Sequence, residues 1–207
     1  MTAARLILAI GMMGACAAGC HSQPPNPSGA PVRGDVTRNT AAARADTARA
    51  LKLIEDKKFA DAEPVLRRAI EADPTYGPAH NNLGLVYYQL GRLYDAAWEF
   101  QNAIKLLPDQ PQPHNNLGLV LESALKFNEA EQAYTEAHHL APQNPEYAGN
   151  LARVRIRLGE RDEETRRLLE IVIIADTRPE WVEWARSNLT RLRMPIPEES
   201  QPTTHPE

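Results

Sequence analysis

Apolar residues in the middle of the chain recur at the spacing of one helical face. In a helix, side chains at i, i+3, i+4 and i+7 lie on the same side. The residues of a first such face are His80, Leu83, Gly84 and Tyr87. Those of a second face are Ala96, Phe100, Ala103 and Leu107. Because Gly91 lies between them and suits a turn, the pattern predicts two consecutive helices that bury these faces against one another.

This pattern returns after 34 residues. The stretch HNNLG occupies 80–84 and again 114–118, and the segments 77–110 and 111–144 align along their whole length. A fixed period of roughly 20 to 50 residues is typical of repeat architectures, in which each unit buries its apolar face against the next. The paired asparagines need an explanation, because asparagine in a helix interior is about 0.7 kcal/mol less favourable than alanine.

Weaker copies of the repeat flank these two segments. One precedes them at 43–76, and another follows at 145–178. In the second of these, Arg155 and Glu164 replace the expected aromatic residue and alanine, so the pattern predicts the packing of this repeat less well. Segment 179–192 then supplies one more amphipathic helix, which we expect to cover the open end of the core as terminal caps do.

The positions shared by the two central segments resemble the tetratricopeptide repeat (TPR). Counted from the first residue of each segment, they are Gly84 and Gly118 at position 8, Ala96 and Ala130 at position 20, Phe100 and Tyr134 at position 24, Ala103 and Ala137 at position 27, and Pro108 and Pro142 at position 32. The resemblance implies an all-α fold over 43–192. Its architecture would be a right-handed α-solenoid of antiparallel helix pairs, the TPR superhelix, with a C-terminal capping helix.

Composition and charge narrow the classes of partner. The chain of 207 residues is 43% hydrophobic and has a net charge of −4, without a strongly basic block. Nucleic acid is therefore not an expected partner, because phosphate binding requires concentrated cationic charge. Cys16 and Cys20 are the only cysteines and both precede the repeats, so the repeats contain neither a disulfide nor a thiolate-bound zinc site.

The N-terminus has the layout of a secretory signal, with Arg5 before an apolar run over 6–18. That run would form about 20 Å of helix, which is shorter than the hydrocarbon core of a membrane. The stretch AAGC that ends at Cys20 resembles a bacterial lipobox. The resemblance implies a signal peptide over 1–19 and lipidation of Cys20. Lipidation of Cys16 and an ordinary signal peptide without lipid are the two alternatives.

Proline, glycine and small polar residues dominate the segments on either side of the repeats. We expect 20–40 to be a disordered tether behind the lipidated cysteine and 193–207 to be a disordered tail. His21 stands where the lipoprotein family places an aspartate for retention at the inner membrane. The resemblance thus implies a protein of the bacterial cell envelope, anchored by lipid to the outer membrane and facing the periplasm.

The TPR resemblance implies that one face of the first helix in each repeat lines the concave groove of the solenoid. Position 6 on that face holds Asn82, Asn116 and Asn150. A carboxamide has the donors and the acceptor that complement a peptide backbone, and the pattern resembles the asparagine ladder of some TPR superhelices. Further candidate groove residues are Asn81, Asn115, Leu85, Gln89, Leu119, Arg153 and Arg157. In the alternative interpretation, the amides bond to neighbouring helices and the two arginines belong to a solvated face.

The sequence contains no motif for a nucleophile, a phosphate loop or a zinc protease, so neither enzymatic activity nor a cofactor is expected. His80 and His114 are interpreted as core histidines, because a metal site needs a third ligand. Some TPR modules grip a carboxylate with cations at groove positions 2 and 6. Gln112 and Asn116 take those positions here, so such a clamp is not expected.

The favoured function is a lipid-anchored, non-catalytic scaffold that binds a segment of another protein in the groove. The alternative is a structural assembly factor for an envelope complex that acts through its helix faces, as in the TPR lipoproteins that help to build outer-membrane pilus pores. Trp98 bears on this choice, because the other repeats have proline, glutamine and arginine at its position. Those polar residues suggest an outward-facing tryptophan that could anchor an interface, but partial shelter beside neighbouring side chains is the preferred interpretation.

Overall fold

The computed structural model describes residues 38–193, and this part of the chain consists of helices joined by short turns. Its helices are α1 (Thr40–Glu55), α2 (Phe59–Ala72), α3 (Gly77–Gln89), α4 (Leu93–Leu106), α5 (Pro111–Ser123), α6 (Phe127–Leu140), α7 (Pro145–Leu158), α8 (Glu163–Ala175) and α9 (Pro179–Arg193). The predicted signal peptide, the lipidation site Cys20, most of the tether and the tail after Arg193 lie outside the described residues. Between residues 38 and 193, no helix is long and apolar enough to cross a membrane.

Consecutive helices pack in pairs, α1 with α2, α3 with α4, α5 with α6 and α7 with α8. Each second helix also packs against the helix that follows it, and the first helices α1, α3, α5 and α7 contact one another in order. Turns of three or four residues join the two helices of a pair, which makes their arrangement antiparallel. This stacking, with α9 packed on α8, confirms the predicted all-α solenoid with a C-terminal capping helix.

An aromatic ring lies against a glycine in each of the two central repeats. A Cβ atom built on Gly84 would lie 2.7 Å from the Phe100 ring, and one built on Gly118 would lie 2.5 Å from the Tyr134 ring. Both rings are buried in the core. A side chain at either glycine would therefore displace the ring and separate the two helices of the repeat, which is why position 8 carries none.

The first helix of every repeat ends in the same left-handed backbone conformation at position 15. The φ angles there are 59° at Lys57, 75° at Gly91, 61° at Leu125 and 87° at Gly159. This conformation turns the next N–H back to the last helical turn, as when Lys126 donates to the carbonyl oxygen of Leu121 at 2.9 Å. Glycine adopts it freely, whereas a Cβ atom clashes with the following carbonyl group. The backbone is therefore strained at Lys57 and Leu125.

The last repeat departs from the register that the 34-residue period predicts for its second helix. The turn between α7 and α8 has four residues instead of three, and the buried residues of α8 fall one position later than in the other repeats. As a result Thr165, which is 0% exposed, takes the small buried position of Ala130, and Glu164 is exposed. The turn before α9 is one residue shorter than its equivalents, so Pro179 is back in register with Pro145.

Arg155 is buried although it replaces an apolar residue at position 11. Its guanidinium group donates hydrogen bonds to Glu131 at 2.8 Å, to Asp162 at 2.7 Å and to Thr165 at 3.1 Å. A buried cation is tolerated when it is paired and hydrogen-bonded. The irregular sequence of this repeat is thus matched by a polar cluster that joins α6, α7 and α8.

His80 lies in the core between α3 and α4, and both of its ring nitrogens face oxygen atoms. Nδ1 is 2.7 Å from Glu99 Oε2, and Nε2 is 3.0 Å from the carbonyl oxygen of Pro74. Burial lowers the pKa of His80, but these two contacts outweigh burial and raise the pKa above 6.5. The reason is that the doubly protonated ring alone can donate to both acceptors at once.

Leu125→Gly is expected to raise the free energy of unfolding by about 0.5–1 kcal/mol. The substitution removes the Cβ clash, and the greater freedom of glycine in the unfolded chain offsets part of that gain. Lys57→Gly should act in the same direction, and urea denaturation followed by circular dichroism measures both. Ala124→Gly is the matched control, because Ala124 has a φ of −83° and glycine is expected to destabilise there. Equal losses at 124 and 125 would contradict the strain argument.

His80 should make the stability of the chain depend on pH. Because its folded-state pKa is raised, the charged ring stabilises the fold fully below about pH 6.5, and this contribution is lost as pH rises through the folded-state pKa. His80→Gln should therefore cost more stability in mildly acidic buffer than in alkaline buffer, as measured by urea midpoints. His114→Gln, at the equivalent position of the next repeat, is the control. A penalty for His80→Gln that does not change with pH would refute the ionic contact.

Candidate functional site

The first helices α3, α5 and α7 share a surface on the side away from their partners α4, α6 and α8, and we call this surface the inner wall. Side-chain hydrogen bonds link each of these helices to the next. The linked residues occupy positions 5, 6, 9, 12 and 13 of the repeat. The structure thus brings the predicted groove residues onto one surface and adds position 12 to them.

The paired asparagines of HNNLG form a ladder along the inner wall. The side-chain amide of Asn116 donates to Asn81 Oδ1 at 3.1 Å, and that of Asn150 donates to Asn115 Oδ1 at 2.7 Å. The second asparagine of one repeat therefore bonds to the first asparagine of the repeat before it. This pairing across the seam between first helices explains why both positions are asparagine despite its poor helix propensity.

The prediction that Asn115 and Asn150 line an open groove is wrong. These side chains are 2% and 3% exposed, and each amide is bonded to a neighbouring helix. A buried amide that already has its partners cannot also clamp a peptide. For these two residues the alternative interpretation applies, since they hold α5 and α7 together.

Asn82 differs from its equivalents, because the preceding repeat has Thr47 at position 5. The hydroxyl group of Thr47 donates to the carbonyl oxygen of Ala43 in its own helix at 2.8 Å. Asn82 is half-buried and makes no side-chain hydrogen bond with another described residue. Asn116 is also half-buried, and its carbonyl oxygen remains able to accept a bond. Asn81 is half-buried as well, with its Oδ1 atom accepting the bond from Asn116. Asn82 and Asn116 are therefore the amides at position 6 that stay partly accessible.

On α3 and α5, apolar and uncharged polar side chains form the accessible part of the inner wall. Leu85 and Leu119 at position 9 are half-buried, and Gln89 and Ser123 at position 13 are exposed. The hydroxyl group of Tyr88 lies 3.2 Å from Ser123 Oγ and bridges α3 and α5. Tyr88 was missed in the sequence analysis, because position 12 lies beside the predicted stripe and its partner is in the next repeat.

Charge is nearly absent from the central part of this surface. Helix α3 contains no lysine, arginine, aspartate or glutamate, and α5 contains Glu122 alone among these residue types. The second helices, by contrast, have charged residues on their exposed faces, such as Arg68 on α2 and Glu129 on α6. The centre of the inner wall therefore offers hydrogen bonds and apolar contact. It offers no charge that could select an ionic partner.

The arginines at the C-terminal end of the inner wall are held by Glu122. Arg153 donates to both oxygens of this carboxylate, at 3.0 and 2.7 Å, and the Tyr134 hydroxyl group donates at 2.8 Å. Burial raises the pKa of Glu122, but Arg153 and Tyr134 outweigh burial and bring the pKa below 4.5. Arg157 is half-exposed, with its guanidinium group 3.7 Å from Glu122.

The predicted cationic end of the groove is consequently neutralised to a large extent. Arg153 lies on the wall, but its charge is paired with a buried carboxylate that the sequence analysis did not single out. The sequence pattern did not indicate this pair, because Glu122 and Arg153 are 31 residues apart and come together only where two repeats stack. Arg157 keeps an exposed side chain for a partner.

Other candidate chemistry lies away from this wall. Trp98 is 56% exposed on α4, so the tryptophan faces outward while a substantial part of it is sheltered by neighbouring groups. Within residues 38–193, no group of three histidine, cysteine, aspartate or glutamate side chains is arranged to hold a metal ion.

Sequence models of known families match the central repeats. A model described as tetratricopeptide repeat matches residues 65–99, and one described as TPR repeat matches residues 85–123. No curated protein sequence matches the chain significantly.

Several solved structures share the helical architecture at identities that support likeness of fold alone. The first TPR of Spaghetti (RPAP3), bound to the HSP90 peptide SRMEEVD, is 20% identical over 58% of this chain and 96% of its own, with a TM-score of 0.57. PilF of Pseudomonas aeruginosa is 22% identical over 73% of this chain and 68% of its own, with a TM-score of 0.66. MamA of Desulfovibrio magneticus RS-1 is 16% identical over 65% and 78%, with a TM-score of 0.58. Together, the family models over residues 65–123 and the stacked helix pairs show that the chain contains tetratricopeptide repeats.

Proposed function

We propose that this chain is a non-catalytic scaffold that binds a segment of another protein along the inner wall. The observation that carries the proposal is the uncharged strip formed by α3 and α5, where Asn82, Leu85, Gln89 and Leu119 are half-buried or exposed. An accessible surface that combines amides with apolar side chains suits an extended polypeptide.

Binding along this wall would rely on the backbone of the partner and on its apolar side chains. The amides of Asn82 and Asn116 and the side chain of Gln89 supply donors and acceptors, and each bond contributes about 1 kcal/mol net. Leu85 and Leu119 supply apolar contact between them. Because the ordering of a flexible segment opposes these gains, we expect moderate affinity with weak dependence on salt.

One structural neighbour helps to define the kind of partner. The RPAP3 domain is bound to the peptide SRMEEVD, which contains three acidic residues. Here the centre of the inner wall lacks cations, and Arg153 is already paired with Glu122. We therefore propose a segment without a requirement for acidic residues, in agreement with the absence of a carboxylate clamp at Gln112 and Asn116.

We propose further that Cys20 is lipidated and that the scaffold is held at the outer membrane, facing the periplasm. The support is the sequence AAGC behind a short apolar run. One acyl chain alone binds a membrane only marginally, so stable anchoring needs the multiple acylation that the lipoprotein resemblance implies. The membrane would then restrict where the partner is captured.

The alternative proposal is an assembly factor for an envelope complex that acts through its outer helix faces. It is favoured by the exposed aromatic residues Tyr94 and Trp98, which are 83% and 56% exposed. They lie four residues apart on α4 and so on one side of that helix. Exposed tryptophan and tyrosine are enriched among residues that dominate interfaces. The two proposals place the partner on opposite sides of the repeats.

Photo-crosslinking from single sites in the full chain, expressed in its native cells, distinguishes the two surfaces. A photoreactive phenylalanine analogue at Gln89 or Gln112, both exposed on the first helices, should give a discrete crosslinked species. The same analogue at Gln101 or Gln132, exposed on the second helices, is the matched control. We expect at least a fivefold lower yield there, because such probes react over short distances only. Crosslinks found only from the second helices would reject binding along the inner wall and support the assembly factor that acts through its outer helix faces.

Metabolic labelling with radioactive palmitate tests the anchor. The wild-type chain should take up label, and Cys20→Ala should lose nearly all of it and leave the membrane fraction, since the thiol group that accepts the first acyl chain is gone. Cys16→Ala should retain both properties. If Cys20→Ala is fully labelled, or if only Cys16→Ala loses the label, Cys16 is the modified residue. If the wild-type chain takes up no label, the N-terminus is an ordinary signal peptide without lipid.

A further inference from the structure

The capping helix α9 continues the register of the repeats. Pro179 lies 34 residues after Pro145, so α9 stands where the first helix of a further repeat would begin. Trp184 then occupies position 6, which is the position of Asn150 in the preceding repeat. The inner wall consequently extends onto α9, with an indole ring where the other repeats have an amide.

The amide ladder is replaced by an aromatic pair at this end. Position 5 of the last complete repeat is Gly149, and a Cβ atom built there would lie 2.8 Å from the Trp181 ring. Trp181 therefore occupies space that a side chain at position 5 fills in the other repeats. The rings of Trp181 and Trp184 are 5.5 Å apart between centroids and meet edge to face at 67°, an arrangement that aromatic pairs prefer.

A cavity of about 220 Å³ opens beside this pair and is lined by Arg153, Glu180, Trp181 and Trp184. Both tryptophans are half-buried, so part of each indole ring is accessible. An apolar cavity of about 150 Å³ is sufficient to bind benzene. The space next to Trp184 is therefore large enough for one aromatic side chain.

The charges around the cavity disfavour an acidic occupant. Arg153 lies over the Trp181 ring at 5.3 Å and is paired with Glu122. Arg178 lies over the same ring at 4.8 Å and is paired with Asp176. Both cations thus have carboxylate partners, while the exposed Glu180 at the rim would repel a further anion. Indole and guanidinium planes are, by contrast, favourable surfaces for stacking with an aromatic ring.

We propose that this cavity binds an aromatic side chain of the polypeptide segment that lies along the inner wall. The inference rests on the proposed scaffold function and specifies the chemistry of its partner. The aromatic side chain would anchor the segment at the α9 end, where tryptophan and arginine are the residue types that contribute most in interfaces. The uncharged strip of α3 and α5 would hold the rest of the segment through its backbone.

Titration of the purified full chain with N-acetyl-phenylalaninamide tests the cavity, with the three indole N–H signals followed by NMR. The chain has three tryptophans, so Trp98 on the outer face of α4 serves as an internal reference. We expect saturable shifts at Trp181 and Trp184, with a Kd of about 1–10 mM for so small a probe, and no shift at Trp98. N-acetyl-alaninamide and the α-amide of N-acetyl-aspartic acid, which keeps its side-chain carboxylate, should bind at least tenfold more weakly. Equal binding of the three amides, or no saturable shift, overturns the proposal.

Variants separate the cavity from the rest of the wall. Trp184→Ala should abolish the probe-induced shift at Trp181, whereas Trp98→Ala should leave it unchanged. Because loss of a large side chain can disorder α9, Trp184→Leu is a second variant, and circular dichroism reports whether the helices persist. If the wild type fails to bind the probe while crosslinks from Gln89 and Gln112 persist, the cavity proposal fails alone. If the probe binds and those crosslinks are absent, the scaffold proposal fails.

Discussion

The contact between a glycine on the first helix and an aromatic ring on the second sets how closely the helices of each central repeat approach. Gly84 receives the ring of Phe100 and Gly118 that of Tyr134, with no space for a Cβ atom between them. Because each pair is compact in the same way, the first helices α3, α5 and α7 lie side by side and contact one another in order. That regularity is what allows side chains of one repeat to bond to those of the next.

The residues between first helices divide into those that hold the repeats together and those that remain for a partner. Asn115, Asn150, Glu122 and Arg153 belong to the first group, since they are bonded across the seam. Because these polar groups bond to one another across the seam, a neutral strip remains in the centre of the surface. The stability of the stack and the character of the accessible surface are therefore set by the same few contacts.

Periodicity alone predicted the helices, their pairing and the surface on which the candidate residues lie. It could not predict which amides are accessible, because residues at the same position have different neighbours. Asn150 donates to an asparagine of the preceding repeat, whereas the repeat before Asn82 has Thr47 at that place. Periodicity also did not predict the Glu122–Arg153 pair or the Trp181–Trp184 cavity, for a related reason. Each depends on residues from two different repeats, and contacts of that kind follow from three-dimensional stacking instead of local spacing.

The shifted second helix of the last repeat shows how an α-solenoid tolerates a change in length. One extra residue before α8 is balanced by one fewer before α9, and Thr165 takes over the buried place that Glu164 could not fill. The insertion and the deletion fall within a single repeat, so the shift in register does not continue into α9. An alignment that counts residues at a constant interval will misassign such a hairpin, even though its outer neighbours stay in phase.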